Sequence, residues 1–314
     1  MRPYEVNLLT ELDTALDSIR ARRAKHVDDA RRDLREGLRL LIQASFEQRR
    51  KDYFVDVARI NADARWLNEK FQQSPGIPPK YFGGDPTAIT PRAYVLHVSL
   101  NHRLQDDLDH PEYVALRDAA THYQTCADFF VGPHYYKGSN FFPARAKVLR
   151  SWAQDRPELA TLSDREILHR TSLFVEYYPT WSKESAAPAR RDGSLFCLLL
   201  NDRAREFLVS VAPPAAVLIA GNLAHTVLNE SRVKEDGAAR QWRWARVPKS
   251  PACERHFLVG RNVLMLGGRQ VAALRCGFLK TPSGANSDED LRRLGRLLAG
   301  DRFEPAWPRG SSPR

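Results

Sequence analysis

The chain reads as an α/β protein built on a mostly parallel sheet. Short apolar runs of strand length, AYVLHVSLNHR (93–103), TSLFVEYYP (171–179) and AAVLIAG (215–221), recur along it. Between the last two lies a stretch with helical spacing, 202–211. Strand, helix and strand in sequence is the pattern of parallel pairing, because parallel neighbours need a crossover. Periodicity does not separate a buried strand from a short buried helix at 93–103. Its length, its β-branched residues and Pro91 ahead of it favour a strand.

The chain has 314 residues and 43% hydrophobic content, enough for one large domain or one domain with an appendage. Lys and Arg outnumber Asp and Glu by 48 to 38, a surplus of +10 that favours a polyanionic partner, nucleic acid first. Cys126, Cys197, Cys253 and Cys276 lie far apart with no C-x-x-C spacing. That argues against zinc, an iron–sulfur cluster or a disulfide framework, and suits a reducing cytoplasm. No apolar run reaches about 18 residues, so no membrane span is expected. The opening MRPYEVNLLTELDTALDSIR lacks the hydrophobic core of a signal peptide. With no metal-ligand cluster and no G-x-S-x-G, a hydrolase-like phosphoesterase is the remote reading, and no cofactor is expected.

In chain order, residues 1–72 read as a helical extension. Leu8, Leu12, Leu16 and Ile19 fall at spacings of three and four, and Leu34, Leu38, Leu41 and Ile42 continue the pattern. A basic segment, Arg20 to Lys25, separates the two stripes. The extension is either a helical hairpin packed on the main domain or a basic arm along a phosphate backbone or another subunit. Interleaved Asp and Glu favour the hairpin. Residues 73–92 hold five prolines and three glycines and read as a linker. A main domain over 93–300 and a flexible tail over 301–314 complete the division.

Strand 93–103 runs out at Asn101-His102-Arg103, and an open α/β sheet places its chemistry at the carboxyl ends of its strands. Residues 104–126 are polar and helical in part. FFVGPHYYKGSNFFPARAKVLRSW (129–152) reads as a loop dense in aromatics and cations. There Tyr135, Tyr136, Phe141 and Phe142 stand among His134, Lys137, Arg145, Lys147 and Arg150. Aromatics near a polar surface stack on bases while cations hold phosphates; the alternative is that they plug the core. Residues 262–266 and 270–276 flank Gly267-Gly268 as a hairpin. Ser287 to Asp290 is a capping box for a helix carrying Leu291, Leu294, Leu297 and Leu298 on one face.

Four of these blocks carry a resemblance. TPSGANSDEDLRRLGRLL resembles the second active-site motif of the uracil-DNA glycosylase superfamily, closest to the mismatch-specific uracil/thymine enzymes, with Pro282, Ser283 and Gly284 matching. SLNHR resembles the first motif, in which a strand ends in N-P-G; Asn101 takes the catalytic position. GPHYYKGSNFF is similar to the segment supplying a base-stacking aromatic, and AAVLIAGNLAH to the third strand. The blocks agree in order and spacing over roughly 93–299. Leu198-Leu-Leu-Asn201 also reads like a base-contacting L-L-L-N, but it lies too close to AAVLIAG, so TSLFVEYYP takes the second-strand slot and Asn201 a helix-start position. Two departures stand out: His102 and Arg103 replace Pro-Gly, and Thr281 replaces the usual His or Asn.

The resemblance implies a three-layer α/β/α fold with a four-to-five-stranded sheet. It also implies a monofunctional DNA glycosylase acting on a flipped base. Thr281 in the base-contacting position points away from simple uracil specificity. Superfamily members in bacterial defence remove glucosylated hydroxymethylcytosine from phage DNA, and a basic helical extension with remodelled motifs suits that role. Asn101 would orient the attacking water, since an amide cannot take its proton, and His102 would supply a base; Asp106 and Asp107 are lesser candidates. Tyr135, Tyr136, Phe141, Tyr177, Tyr178 and Thr281 would receive the base. Lys280, Ser283 and Gly284, with the amide of Ala285, would hold a phosphate at the helix start. The alternative is a non-catalytic DNA-binding module on the same fold.

Overall fold

A computed structural model describes residues 1–23, 25–63, 77–103, 111–132, 141–182, 195–220, 243–248, 256–266, 269–276, 279 and 285–301. Side chains at 49–63, 100–103, 177–178 and at several positions of the last three strands fall outside the described set. In chain order come α1 (Pro3–Ala21), α2 (Val27–Asp63), β1 (Val95–Arg103), α3 (Pro111–Arg117) and α4 (Ala119–Ala127). Then follow α5 (Phe141–Trp152), α6 (Pro157–Ala160), α7 (Asp164–Thr171), β2 (Ser172–Ser182) and α8 (Phe196–Val211). The chain goes on with β3 (Ala216–Ala220), β4 (Arg243–Pro248), β5 (His256–Leu266), β6 (Arg269–Cys276) and α9 (Asp288–Ala299).

The strands form one sheet in the order β2-β1-β3-β6-β5-β4. Its first four members are parallel, while β5 pairs antiparallel with both β6 and β4. The expected hairpin across Gly267-Gly268 is therefore β5–β6. The sheet has six strands rather than four to five. The unforeseen member is β4, RWARVP, an edge strand whose arginines hide its alternation.

Strict two-residue alternation sorts the parallel strands into two cores. Leu96, Leu173, Val175, Val217, Ile219, Val271 and Ala273 pack with α1, α2, α4 and α8. Val95, Phe174, Ala216, Leu218, Leu274 and Cys276 pack with α5, α7 and α9. The result is three layers, helices over both faces of a mostly parallel sheet.

The N-terminal leucines at helical spacing are interior. Leu12, Leu16, Leu34, Leu38 and Leu41 are almost wholly buried, and Gly37 lies so close to Phe207 of α8 that an added Cβ would sit 2.1 Å from the ring. Basic residues around the α1–α2 turn are tied down. Arg22 forks onto Glu36 at 2.6 and 2.9 Å, Arg20 stacks on Phe207, and Arg203 of α8 grips Asp13 of α1. These contacts make the described part of the extension a hairpin packed on α8 of the main domain. The Pro/Gly stretch is likewise interior: Ile77, Lys80, Tyr81, Phe82 and Ile89 are buried, and Gly83 bridges to Phe174. Among the described residues no helix is long and apolar enough to cross a membrane. The tail beyond 301 lies outside the described residues.

Three local expectations are corrected. The segment from Phe141 is helix α5, not loop: Pro143 falls in the first turn, where a missing N–H costs nothing. Asn201 is not a helix start, because α8 begins five residues earlier at Phe196 and buries it completely. Strand β1 runs through Arg103 but begins two residues later than read, at Val95. The capping box forms as read, with the Ser287 hydroxyl accepting from the Asp290 amide at 3.1 Å.

Candidate functional site

Because β1, β2, β3 and β6 are parallel, their carboxyl ends share one edge. Asn101 stands in the last third of β1, in register with Tyr178 of β2. The ladder then slips: Asn101 pairs with Tyr178, but His102 pairs with Trp181. Pro179 lies in the slip and has no N–H to give β1, while its carbonyl accepts from the Lys80 amide at 2.8 Å. A bulge thus sits immediately after the position read as catalytic.

Under this edge lies a group of buried ionisable side chains of which sequence reading singled out Arg145 alone. His97 is two turns of the pleat before Asn101 on β1. It is almost wholly buried, lies flat on Phe174 (4.5 Å between centroids, 2° between planes), and neither ring nitrogen has a hydrogen-bond partner among the described residues. Arg145 of α5 is equally buried. Its guanidinium covers the Phe141 ring at 3.5 Å, approaches Phe174 at 5.2 Å and donates to the Phe141 carbonyl at 3.3 Å, while its Nε–H finds no acceptor among the described residues. Glu176 of β2 is buried too, and the amide of Asn201 donates to its backbone carbonyl at 2.8 Å. Lys80, fully buried, donates to Glu112 at 2.9 Å and stands 3.9 Å from the centre of the Phe129 ring.

Burial dominates the titration of this group. It pushes the Glu176 carboxyl up to about 8, against the pull of Arg145 and Lys80. It lowers Arg145 to about 10 and, with Arg145's charge, holds His97 well below the usual imidazole value. Burial also raises the Cys276 thiol to about 12. At neutral pH the carboxyl is therefore largely protonated, His97 is neutral and Arg145 remains cationic. The interior beneath the edge carries a positive charge without a full counter-charge, and such a place favours an anionic group nearby.

Among the residues expected at the site, Phe141 is described with its side chain. It opens α5, half-buried, against Phe142 at 5.0 Å and Phe174 at 5.5 Å. Asn101, His102, Tyr177 and Tyr178 have described backbone only, all at the carboxyl edge. Tyr135, Tyr136, Lys280, Thr281, Ser283 and Gly284 lie outside the described residues, as do Asp106 and Asp107. The chain leaves β6 at Cys276 and returns at the buried Ala285 ahead of α9, so 280–284 connect this edge to the α9 start. Three cations expected to hold phosphate do structural duty instead. Arg145 is buried, Lys147 pairs with Asp288 at 2.7 Å, and Arg150 joins Asp164 and two carbonyls.

The missed residues left a signal. His97 in AYVLHVSL and Glu176 in SLFVEYY are single ionisable groups inside apolar strands, where a charge is costly unless it serves something. Among the described residues no cluster of His, Cys, Asp and Glu has the makings of a metal site. Comparison with family models, with curated proteins and with solved structures gave no match.

Proposed function

We infer that the chain is a DNA glycosylase that hydrolyses the N-glycosidic bond of a flipped base, with modified cytosine as the favoured substrate class. One observation carries the reading. The four parallel strands bring the carboxyl ends of β1, β2, β3 and β6, and with them the strands that carry or precede SLNHR, AAVLIAG and TPSG, to a single edge. The surplus of +10 supports a nucleic-acid partner.

In the proposed reaction the C1′–N bond breaks and its electron pair leaves with the base. Water adds to the oxocarbenium-like sugar and gives up a proton, leaving an abasic site. Asn101 orients that water and His102 is placed to receive the proton. Phe141 offers the departing base a ring whose other face carries the Arg145 guanidinium. Arg145 thereby lends positive potential where negative charge develops, in surroundings that screen it poorly. Extruding the base costs a few kcal/mol, which stacking and phosphate contacts from 280–284 must offset.

The test is a glycosylase assay on DNA carrying uracil, mismatched thymine, hydroxymethylcytosine or its glucosylated form, read by alkaline cleavage. Abasic sites from at least one substrate, lost in Asn101→Ala with DNA binding retained, are expected. Salt-sensitive binding without product on any substrate would instead make the chain a non-catalytic DNA-binding module. A role against phage with modified genomes is checked by plating on expressing and control cells; equal plating counts against it.

A further inference from the structure

We propose that a cleft at the opposite, amino edge of the sheet binds a phosphate group carried on a small ligand. The cleft encloses about 630 Å³, within the roughly 300–1,000 Å³ typical of small-molecule sites. Arg31 of α2, Thr90 of the segment entering β1, Arg156 and Glu158 at α6, and His169 and Arg170 at the end of α7 line it. Three arginines from separate elements thus face one acidic side chain.

Two of the arginines are held in place by the same short stretch of backbone. Arg31 Nε donates to the Ile89 carbonyl at 3.0 Å, and Arg156 Nη1 donates to the Ala93 carbonyl at 2.9 Å while its guanidinium lies on Trp152. Each carbonyl occupies one of the five N–H groups of its guanidinium, so the rest of each fork stays oriented for an acceptor with several oxygens. The ion pair between Arg31 and Asp28 is a surface one, with Asp28 91% exposed, and a bound anion displaces it at little cost. His169 adds a ring nitrogen, Nδ1, that is closed off from solvent and has no partner among the described residues. Arg170 is exposed at the rim.

A phosphate, with its three acceptor oxygens and near-double charge, matches cations converging from three sides better than a single carboxylate does. The volume leaves room for a nucleoside beyond the phosphate. An extended polyanion fits less well, because Glu158 lines the cleft and Asp28 pairs with Arg31. The nine residues of β1, at about 3.3 Å each, also put some 30 Å between this cleft and the carboxyl edge. A ligand here would join α2 to the start of the sheet, a separate event from base excision.

Calorimetric titration of the full chain with inorganic phosphate, a deoxynucleoside monophosphate, the matching nucleoside and a short oligonucleotide tests this. Saturable binding of phosphate or the monophosphate, at least tenfold tighter than the nucleoside, is expected. Which of the two binds tighter assigns the group to free phosphate or to a nucleotide. Arg170→Ala, exposed and safe for folding, should weaken binding at least tenfold, and Arg156→Lys should do so while keeping the contact to Ala93. No heat with either phosphate ligand, equal binding of nucleoside and nucleotide, binding by the oligonucleotide alone, or undiminished affinity in both variants would overturn the proposal.

Discussion

The two ends of the same parallel strands differ in the polar groups they bury. At the amino end the segments entering the sheet are tied together by paired groups, although the Ser172 hydroxyl and His169 Nδ1 find no partner among the described residues. The Tyr94 hydroxyl donates to the Ala212 carbonyl at 2.7 Å, the Ala215 amide to the Tyr94 carbonyl at 2.8 Å, and the Arg92 amide to the Pro213 carbonyl at 2.7 Å. At the carboxyl end, among the described residues, His97 has no partner at either nitrogen and the Arg145 Nε–H has no acceptor. Satisfied groups define a frame; unsatisfied ones raise the energy of the fold and persist where something else uses them. The contrast separates residues that hold the sheet from residues that serve its edge.

Arg145→Ala should test the contrast hardest. It empties the space behind Phe141 and removes the cation from its ring, so a loss of about 3 kcal/mol by urea denaturation is expected, together with loss of excision activity. Lost stability with excision activity per folded molecule retained would put Arg145 among the framework residues. Next comes Gly295→Ala in α9. A Cβ there would lie 2.3 Å from the Val148 carbonyl of α5, backbone that has little freedom to retreat. It should cost about 1–3 kcal/mol by pushing α5, and Phe141 with it, off the sheet; a fully stable variant would show that α5 has slack.

A third test uses pH. Glu176 titrates higher in the fold than in the unfolded chain, so its contribution is complete below pH 4.5 and is lost as pH rises through about 8. His97 titrates lower than in the unfolded chain, so its contribution is present above pH 6.5 and lost as pH falls. From pH 4.5 to 6.5 the two slopes oppose. Glu176→Gln should unmask a stability that falls with acid, and His97→Phe one that rises with acid, each approaching about 1.4 kcal/mol per pH unit at most. Parallel slopes in the two variants would refute the assignment. The smallest effect is expected at the amino end: Tyr94→Phe removes the hydrogen bond to the Ala212 carbonyl at a cost of about 1 kcal/mol by thermal denaturation, with excision activity intact.

The sequence made some of this legible and hid the rest for physical reasons. Leucines at helical spacing and runs such as AVLIA betray their burial directly, so α1, α2, β1, β2, β3 and the cap of α9 could be read in advance. Strand β4 could not, because an edge strand exposes part of its surface and its arginines mask alternation. Helix α5 was hidden by Phe141-Phe142-Pro143, a start that looks like a loop. Arg145 was counted as a surface cation; nothing in a single sequence tells a buried guanidinium from an exposed one. The carboxyl-edge position of Asn101 was readable, while the His97, Arg145 and Glu176 group beneath it depends on three segments meeting across the sheet.

The slip beside Pro179 has a consequence for how this edge can vary in length. Between the pairs Asn101–Tyr178 and His102–Trp181 strand β2 spends two more residues than β1. Two is a full period of the pleat, so Trp181 still falls in the same core as Leu173 and Val175, and its indole still reaches the Pro78 carbonyl at 2.9 Å. An excess of one would have turned Trp181 outward. Insertions and deletions near 179 are therefore quantised: a change of two residues keeps the strand in phase, whereas a change of one inverts everything that follows.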